Sequence, residues 1–543
     1  MGVFSITLVG AISLAMCAGT FQPAESSILK LGNILSLMSQ TDKIYQMGQI
    51  DFSMLFTNNE IDQKKIEYFF GELGIGSLLV VPYKQNFYPA TFYRSLMIQI
   101  QNVTKTFNRP PVITGIDSVH GANYIKGAVI FPQPINIAST WEPSNARSAA
   151  MFGTKETVAA GINWLFSPII GLGIQPLWSR MYETFGEDPY LVGVFATAMV
   201  DGIQSNGAAA CGKHFVGYSA PRTGHDRSPS WIPVRHLYQY FMRPWREVIN
   251  NVRPMTIMES YTEYDGVPNI SNRNSLETML RQDLGYDGML VTDYQEIENL
   301  IGFHKVAIDN NEAVKLVLLE TSVDMSMMPF NTEGWMNGVR ASLDENPIQD
   351  AVKDRVNRSV MRILRLKDDL RMFDTELTED NVELKNIGSK GRRAVALNIA
   401  RDSIVLAKNT VNTLPLPTPT WRKKWKVHVT GPTSNSIRYQ SGGWTVEWQG
   451  ATSDDQFQYG QTVLQAAKEK TGWEITSSCG VNIMGDPCDG DSTETANQQR
   501  SAADYIFVCI GEENYTGEYS TFCNLLLVSM VLSAVSNPFH MLS

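Results

Sequence analysis

Basic residues are too few in this chain to give it a positive surplus. The 543 residues contain 45 Lys and Arg against 55 Asp and Glu, a formal net charge of −10. A chain with this balance is repelled by phosphate backbones and by anionic membrane surfaces. We therefore expect no nucleic-acid partner, and a neutral or cationic ligand is favoured.

The chain also lacks an apolar run long enough to cross a membrane at its N-terminus. The uncharged segment from Val3 to about Ala18 is followed by small residues and then by the polar stretch 22–27. A spanning helix needs about 20 apolar residues, so we interpret residues 1–19 as a secretory signal peptide rather than a membrane anchor. The mature chain is then expected to be secreted, or delivered to a lysosome or vacuole, without stable membrane insertion. Four sequons are compatible with a glycoprotein: Asn102, Asn269, Asn357 and Asn514.

Cysteine is scarce and is not arranged as a metal site. The six cysteines form no CxxC pair and no Cys/His cluster, so we expect neither a metal ion nor another cofactor. If Cys17 leaves with the signal peptide, Cys479 and Cys488 enclose a short loop and are the expected disulfide in an oxidising compartment. The apolar neighbours of Cys211 and Cys509 predict buried thiols.

Short apolar segments ending in polar residues recur from residue 76 onward, separated by segments with helical spacing such as 191–203 and 237–248. Strand and helix alternating over roughly three hundred residues is typical of a parallel sheet. Seven such strands, with an eighth expected near the N-terminus, predict a (β/α)₈ barrel over residues 25–390, and no GxGxxG supports a dinucleotide-binding fold. The seven segments are GSLLVV at 76–81, PVITGID at 111–117, INWLFSP at 162–168, AAACGKH at 208–214, MTIMESY at 255–261, GMLVTD at 288–293 and SVDMSM at 322–327.

A second, smaller α/β region follows residue 390. The segment GRRAVALNIARDSIVLAKN predicts a helix running into a strand, and LPLPTPT at 414–420 predicts an exposed link, so residues 391–420 are expected to be a linker. Beyond it, WKVHVTGP, TVLQAAKEK, WEITSS and DYIFVCIGEE repeat strand and helix, which predicts a second α/β domain over residues 421–543. The last 25 residues contain no Asp, Glu, Lys or Arg, and we expect the sheet of this domain to be incomplete.

Polar side chains stand where several of the predicted strands end. In a parallel barrel these ends meet at one rim, which is where barrel enzymes place their active sites. Any one of the residues alone is more simply a helix cap or a solvated loop residue. Five on one rim predict an active site: Asp117, Lys213, His214, Tyr261 and Asp293.

Six ordered motifs around these residues resemble those of glycoside hydrolase family 3, and within it the secreted or lysosomal β-glucosidases and exo-β-glucanases. The motifs are GIDSVHG at 115–121, WSRMYETFGEDPYL at 178–191, KHFVGY at 213–218, MESYTEYDGVPNISN at 258–272, GYDGMLVTDYQEI at 285–297 and GGWTVEWQG at 442–450. The resemblance covers roughly residues 30–518. It implies a barrel followed by an α/β sandwich, with the active site between them.

The resemblance also implies residue roles. A retaining glycosidase needs a carboxylate nucleophile and a second carboxyl group about 5–5.5 Å away that protonates the leaving oxygen. By resemblance Asp293 is the nucleophile, Tyr294 lies beside it, and Trp444 stacks on the sugar from the second domain. The two glycines before Trp444 predict an exposed loop. The residues expected to hold the sugar hydroxyls are Asp117, Arg180, Lys213, His214 and Tyr261.

The general acid departs from the family pattern. The family glutamate lies in a motif like GExxYTE, whereas this chain has GEENYTGEYSTFCN at 511–524, so Glu518 matches if Gly517 is an insertion. Glu512 and Glu513 are the alternatives. Asn299 stands where related enzymes can carry Arg, which leaves the contacts of the neighbouring subsite open.

Three functions are compatible with these residues. The first is a retaining, exo-acting β-glucosidase that removes terminal β-D-glucosyl residues from β-glucans, cello-oligosaccharides or glucosides. The second is a β-N-acetylhexosaminidase of the same family, but its Asp-x-His dyad is absent and His225 and Asp226 follow each other in the reverse order. The third is a carbohydrate-binding pseudoenzyme that lacks a competent acid. Linkage, aglycone and oligomeric state stay open.

Overall fold

Seven strands in chain order form one parallel sheet. The structure, a computed structural model, describes residues 25–82, 87–410, 412–488 and 493–517, so the expected signal peptide and the chain after Gly517 lie outside the described residues. Every neighbouring pair in the sheet is parallel. The strands are β1 Gln49–Asp51, β2 Ser77–Val80, β3 Ile113–Ile116, β4 Trp164–Leu165, β5 Ala209–Phe215, β6 Thr256–Glu259 and β7 Met289–Val291. The strand expected near the N-terminus is β1.

The last of the seven predicted segments, 322–327, joins the two edges of this sheet through single bridges. Met325 bridges Val291 of β7 and Ser326 bridges Gly48 beside β1, both in parallel register. The backbone N–H of Gln49 donates to the carbonyl of Ser326 at 3.1 Å. The sheet therefore curls into a barrel, which confirms the predicted fold class, with an eighth strand reduced to two residues.

Helices cover the outside of the barrel. The helix Pro189–Gln204 shows why they begin where they do, because Asp188 accepts the backbone N–H groups of its first turn and proline occupies that turn. The α-helices of this domain with seven or more residues are Glu25–Leu37, Gln40–Gln46, Ala90–Thr106, Pro143–Ala159, Pro189–Gln204, Met242–Asn251, Glu296–Gly302, Asn310–Glu320, Thr332–Asp344 and Gln349–Asp369. π-helical segments are Glu67–Leu73, Leu237–Phe241 and Asn274–Asp283. No helix in the described ranges is both long and apolar enough to span a membrane.

The expected linker begins with a helix that belongs to the barrel. Lys390–Asp402 buries Ala396 and Ile399 in the barrel core, and Arg392 pairs with the buried carboxylate of Glu156 at 3.3 Å. The strand predicted after this helix is not formed, since residues 404–408 are exposed and outside any strand. Residues 390–402 are therefore part of the barrel domain and not of a linker, because the apolar positions of the helix and the charge of Glu156 hold them on the barrel.

The second domain contains a three-stranded parallel sheet in the described residues. Its strands are β8 Trp425–Thr430, β9 Trp473–Ser478 and β10 Tyr505–Val508, with β8 in the centre. Its helices are Arg438–Ser441, Val463–Lys468 and Thr493–Ser501. The predicted disulfide joins Cys479 and Cys488. Of the two predicted buried thiols, Cys211 is buried, whereas Cys509 is only half-buried.

One of the four sequons is closed by the fold. The side chain of Asn269 is fully buried, and its amide donates to the carbonyl of Phe215 at 2.6 Å. A glycan needs an exposed amide nitrogen, so Asn269 is not an acceptor in the folded chain.

A buried ion cluster connects segment 322–327 to the outer helices. Asp324 accepts the backbone N–H of Leu290 at 2.9 Å and lies 3.1–3.5 Å from three guanidinium groups, those of Arg281, Arg355 and Arg362. Burial alone would raise the pKa of Asp324, but the three arginines, Arg362 first, hold this pKa below its ordinary value. Asp324 is therefore ionised, and it neutralises part of a buried positive cluster.

We predict that Asp324→Asn lowers the free energy of unfolding of the barrel by about 3–5 kcal/mol, because the buried side chains of Arg281 and Arg355 and the partly exposed one of Arg362 lose their counter-charge. Denaturant unfolding measures the change. The control is Asp350→Asn, an exposed residue paired with Lys353 at 3.5 Å, which should change the free energy by less than about 1 kcal/mol. Equal losses in the two variants would contradict the assigned role of the cluster.

Candidate active site

The polar residues predicted at the strand ends come together at the carboxyl-terminal rim of the barrel. Asp117 follows β3 and Asp293 follows β7. Lys213 and His214 lie among the last three residues of β5. Lys213 Nζ donates to Asp117 Oδ1 at 2.6 Å, and His214 Nε2 lies 3.4 Å from Asp293 Oδ2. Three strand ends therefore contribute to one continuous polar cluster.

Asp293 is buried and held by two backbone contacts, with only 7% of the residue exposed. Its own N–H donates to Glu259 Oε1 at 2.9 Å, and its Oδ1 accepts the N–H of Tyr294 at 2.7 Å. Within the described residues its Oδ2 accepts no hydrogen bond. A fixed carboxylate with one uncommitted oxygen is the geometry that a nucleophile requires.

The charges around Asp293 oppose the effect of its burial. Burial raises the pKa of Asp293 to about 6, while Arg180, Lys213 and Arg227 act in the opposite direction. Burial, together with the same Arg180 and Lys213, holds the pKa of His214 well below its ordinary value. At neutral pH Asp293 is thus mainly ionised and His214 is neutral.

Arg180 and Lys213 face the aromatic ring that the second domain contributes. The guanidinium of Arg180 is fixed by two hydrogen bonds to Glu183, at 2.7 and 2.9 Å, and lies 5.6 Å from the ring centre of Trp444. Lys213 Nζ lies 5.3 Å from the same ring. Two cations over one indole place Trp444 at the predicted sugar-binding residues.

The expected exposure of Trp444 is wrong. Only 7% of the residue is exposed, and its ring contacts that of Tyr124. The preceding Gly443 serves a close approach instead of a flexible loop, since a Cβ atom there would overlap the hydroxyl groups of Tyr182 and Thr516. Gly443 therefore allows the second domain to approach Tyr182 of the barrel closely.

Hydrogen bonds fix this docking. The amide of Gln133 in the barrel domain donates to the carbonyl groups of Ser441 and Gly443, at 3.1 and 3.0 Å. The N–H of Val446 donates to the carbonyl of Asn123 at 3.1 Å. Trp444 lies between these contacts and is positioned by the barrel as much as by its own domain.

The segment expected to carry the general acid reaches the same rim. Ser179 Oγ donates to the carbonyl of Gly517 at 3.1 Å, and a Cβ atom at Gly517 would lie 3.0 Å from Asp226 Oδ2. Glu518, the next residue, lies outside the described residues, so its role stays a prediction.

The two alternative glutamates make contacts inside the second domain. Glu512 accepts a hydrogen bond from the Tyr515 hydroxyl at 2.6 Å. Glu513 lies 3.6 Å from Arg438 Nη2 and accepts from the Tyr439 hydroxyl at 3.4 Å. Each therefore already has a partner that a general acid would have to exchange for the leaving oxygen.

Several residues at the site were not predicted from strand ends. Asp226 Oδ1 accepts hydrogen bonds from Trp178 Nε1 at 2.9 Å and from the Tyr218 hydroxyl at 2.7 Å. Arg227 lies 4.1 Å from the ring centre of Tyr261, whose hydroxyl donates to the carbonyl of Tyr294 at 2.8 Å. Trp178 and Tyr218 lie within the quoted motifs, but strand periodicity does not reach loop residues such as Asp226.

Asn299, the residue that stands where related enzymes can carry Arg, is engaged within its own helix. Its amide donates to Glu296 Oε2 at 2.6 Å, so it serves a buried carboxylate of its own helix. His225 is exposed and forms no dyad with the buried side chain of Asp226. Among the described residues, no group of three or more His, Cys, Asp or Glu is arranged to hold a metal ion.

Known proteins are similar in sequence to this chain over much of its length. The lysosomal beta glucosidase of Dictyostelium discoideum is 37% identical over 507 residues, covering 88% of this chain and 60% of that protein. The periplasmic beta-glucosidase of Salmonella typhimurium is 28% identical over 346 residues, covering 62% of this chain and 43% of its own length. The chain thus spans 60% or less of the length of these two relatives.

Solved structures confirm the fold. The exo-1,3/1,4-beta-glucanase of Pseudoalteromonas superposes with a TM-score of 0.78 at 23% identity, covering 95% of this chain and 64% of that chain. The beta-glucosidase of Listeria innocua, solved with isofagomine, has a TM-score of 0.76 at 24% identity, covering 93% and 68%. The sequence profile of the Glycosyl hydrolase family 3 N terminal domain matches residues 39–366. This match, together with the identity to the Dictyostelium protein, shows that the chain belongs to glycoside hydrolase family 3.

Proposed function

We propose that this chain carries the active site of a retaining, exo-acting β-glucosidase that removes terminal β-D-glucosyl residues from β-glucans, cello-oligosaccharides or glucosides. The observation that carries the proposal is Asp293, a buried carboxylate with a free Oδ2 at the rim of the barrel. The names of the Dictyostelium and Salmonella relatives support glucose as the terminal sugar. No metal or cofactor takes part in the proposed reaction.

The proposed reaction has two steps. In the first, Asp293 Oδ2 attacks the anomeric carbon, the glycosidic C–O bond breaks, and the leaving oxygen takes a proton from the acid, for which we propose Glu518. In the second, the deprotonated acid removes a proton from water, the water oxygen attacks the anomeric carbon, and Asp293 leaves as a carboxylate. Two inversions give net retention.

The surrounding side chains suit a polyol. Asp117 can accept from two hydroxyl groups, while Lys213 and Arg180 donate and stay charged. His214 and Tyr261 complete the proposed sugar site, with Tyr294 beside the nucleophile. Trp444 gives the sugar an apolar face on which to stack. Because the second domain closes over Arg180 and Lys213, the pocket suits one terminal sugar better than the middle of a chain, which supports exo action.

We further propose that the protein enters the secretory pathway and is secreted or lysosomal. The apolar run 3–18, the Cys479–Cys488 disulfide and the lysosomal relative support this. Asn102 is exposed and is the sequon best placed to carry a glycan. N-terminal sequencing of the secreted chain tests the cleavage near residues 18–19.

We predict that Asp293→Asn abolishes glucoside hydrolysis, by several orders of magnitude in kcat, because no glycosyl ester can form. Release of dinitrophenol from a dinitrophenyl β-glucoside measures the activity. Asp350→Asn, exposed on an outer helix, is the matched control and should retain wild-type turnover. If the Asp293 variant kept a tenth of the activity, another residue would be the nucleophile.

We predict an acidic limb near pH 6 in the pH dependence of kcat/KM, because Asp293 has a pKa raised to about 6 and reacts only when ionised. Activity should fall tenfold for each pH unit below the limb. Arg227 lowers this pKa, so Arg227→Met should move the limb to higher pH, whereas Arg222→Met, at an exposed position, should leave it in place. If the limb stayed in place in Arg227→Met, the ionisation of Asp293 would not be its origin.

We predict that Glu518→Ala nearly abolishes cleavage of disaccharides but largely spares the first step with a dinitrophenyl glucoside. A low-pKa leaving group departs without a proton, whereas a sugar alkoxide does not. Glu512→Ala and Glu513→Ala should lack this selectivity, which initial rates on the two substrates reveal. Selective loss of disaccharide cleavage in Glu513→Ala would identify Glu513 as the acid.

The same assay separates the enzyme from a carbohydrate-binding pseudoenzyme. An acid-deficient hydrolase still releases dinitrophenol, and added azide accelerates its turnover by attacking the glycosyl ester. A protein that only binds sugar releases no dinitrophenol with or without azide, and this outcome would overturn the proposed function.

A further inference from the structure

His304 lies between two carboxyl groups, next to the backbone turn formed by residues 293–296. Its Nε2 is 2.8 Å from Glu296 Oε1, and its Nδ1 is 2.9 Å from Glu263 Oε1. An ionised carboxylate can only accept hydrogen bonds, so two such partners require both ring nitrogens to carry a proton. When both carboxyl groups are ionised, the geometry is that of an imidazolium bridging two carboxylates.

Glu296 is rigidly held at the other end of this contact. Its side chain is fully buried, and its Oε2 accepts the amide of Asn299 at 2.6 Å while its Oε1 faces His304. Both carboxylate oxygens are thus occupied by donors. Glu296 lies three residues after Asp293, at the start of the helix Glu296–Gly302.

The backbone between Asp293 and Glu296 is in a conformation that needs support. Gln295 has a φ of +58°, in the left-handed region that residues with a side chain rarely adopt. Its N–H donates to the carbonyl of Met327 at 2.9 Å, and the N–H of Glu296 donates to the carbonyl of Asp293 at 3.3 Å. Such turns persist where their surroundings hold them, and the fixed side chain of Glu296 is one such support.

A third buried carboxyl group, that of Glu259, interacts with both Asp293 and Glu296. Glu259 accepts the N–H of Asp293, while its Oε2 has no hydrogen-bond partner among the described residues. Burial, then the charge of Glu296, raises the pKa of Glu259 well above its ordinary value. Burial also raises the pKa of Glu296 to about 7, and the hydrogen bond and positive charge of His304 oppose this rise. Arg180, Lys213 and Arg227 oppose the effect of burial on Asp293 in the same way.

We propose that the His304 imidazolium is a positioning residue for Asp293. By bridging Glu263 and Glu296 it locks the left-handed turn next to Asp293 and supplies positive charge to the buried Glu296. His304 does not touch the sugar. The activity test of this inference rests on the proposed function, and a separate measurement of the bridge does not.

The proposed bridge depends on the protonation of His304, and therefore on pH. Burial lowers its pKa, but Glu296 and Glu263, the charged groups that face it within the described chain, outweigh burial and raise it above 6.5. Protonation thus favours the folded state below the unfolded pKa, and this stabilisation is lost as pH rises through the folded pKa. The bridge should therefore be lost as the pH rises through this raised pKa.

The experiment is the pH profile of kcat/KM on dinitrophenyl β-glucoside. This leaving group needs no proton, so a basic limb reports a group other than the general acid. We expect a basic limb in the wild type. His304→Gln should lose that limb and have a plateau lower by roughly ten- to hundredfold, because the nucleophile is displaced from its productive geometry.

Glu263→Gln provides a milder variant at a partly exposed position. It removes one negative charge from the bridge, so the basic limb should move to lower pH while the plateau stays within about threefold of the wild type. His236→Gln, at an exposed histidine, is the control and should leave limb and plateau unchanged. A basic limb that is the same in the Glu263 and His304 variants as in the wild type, or an undiminished plateau in His304→Gln, would overturn the proposal.

The ring itself is followed by NMR of ¹⁵N-labelled imidazoles, with the His304 signal assigned by its loss in His304→Gln. We expect a titration midpoint above 6.5, moving down in Glu263→Gln. A midpoint at or below 6.5 would overturn the bridge. If the wild type hydrolysed no glucoside, the proposed function would fail, and this titration would still decide whether His304 is the cationic bridge.

Discussion

The burial of the negative charge on Asp293 is the constraint around which the rim of the barrel is organised. A carboxylate taken out of water costs several kcal/mol unless cations and hydrogen-bond donors replace its hydration. Arg180, Lys213 and Arg227 supply cations, and the backbone of Tyr294 supplies a donor. Because Asp293 Oδ2 stays uncommitted, the compensation is incomplete, and the raised pKa is its consequence.

The cations in turn need acids of their own. Lys213 is paired with Asp117, and Arg180 forms two hydrogen bonds with Glu183. These pairs fix where the cations lie, so a hydroxyl group of the proposed sugar would meet donors and acceptors that do not have to reorganise. Trp444 then excludes water from the side of Arg180 and Lys213, and this is why docking of the second domain belongs to the electrostatics of the site.

The sequence predicted those parts of the molecule that follow from local periodicity. Asp117, Lys213 and Asp293 could be placed together because parallel strands end at one rim. The burial of Trp444 could not be predicted, because it depends on the barrel surface around Tyr124. Residues 404–408 have the apolar pattern of a strand, yet no strand forms, since strand pairing is a property of the partner and not of the segment. The family motifs predicted site residues that periodicity does not indicate, including Arg180. They gave no prediction for His304, which lies outside them.

Two buried clusters show how the same groups serve stability or reactivity. Asp324 is surrounded by three arginines, so its pKa is held low and its charge is a fixed part of the fold. Behind Asp293, the carboxylates of Glu259 and Glu296 share little positive charge besides that of His304, and their pKa values are raised. Asp293 and Asp324 are both buried, and three cations act on each of them. The cations offset only part of the effect of burial on Asp293, so its pKa is raised to about 6, whereas the pKa of Asp324 is held low. A residue proposed as a nucleophile has to be ionised and still reactive, and this partial compensation leaves Asp293 in that intermediate state.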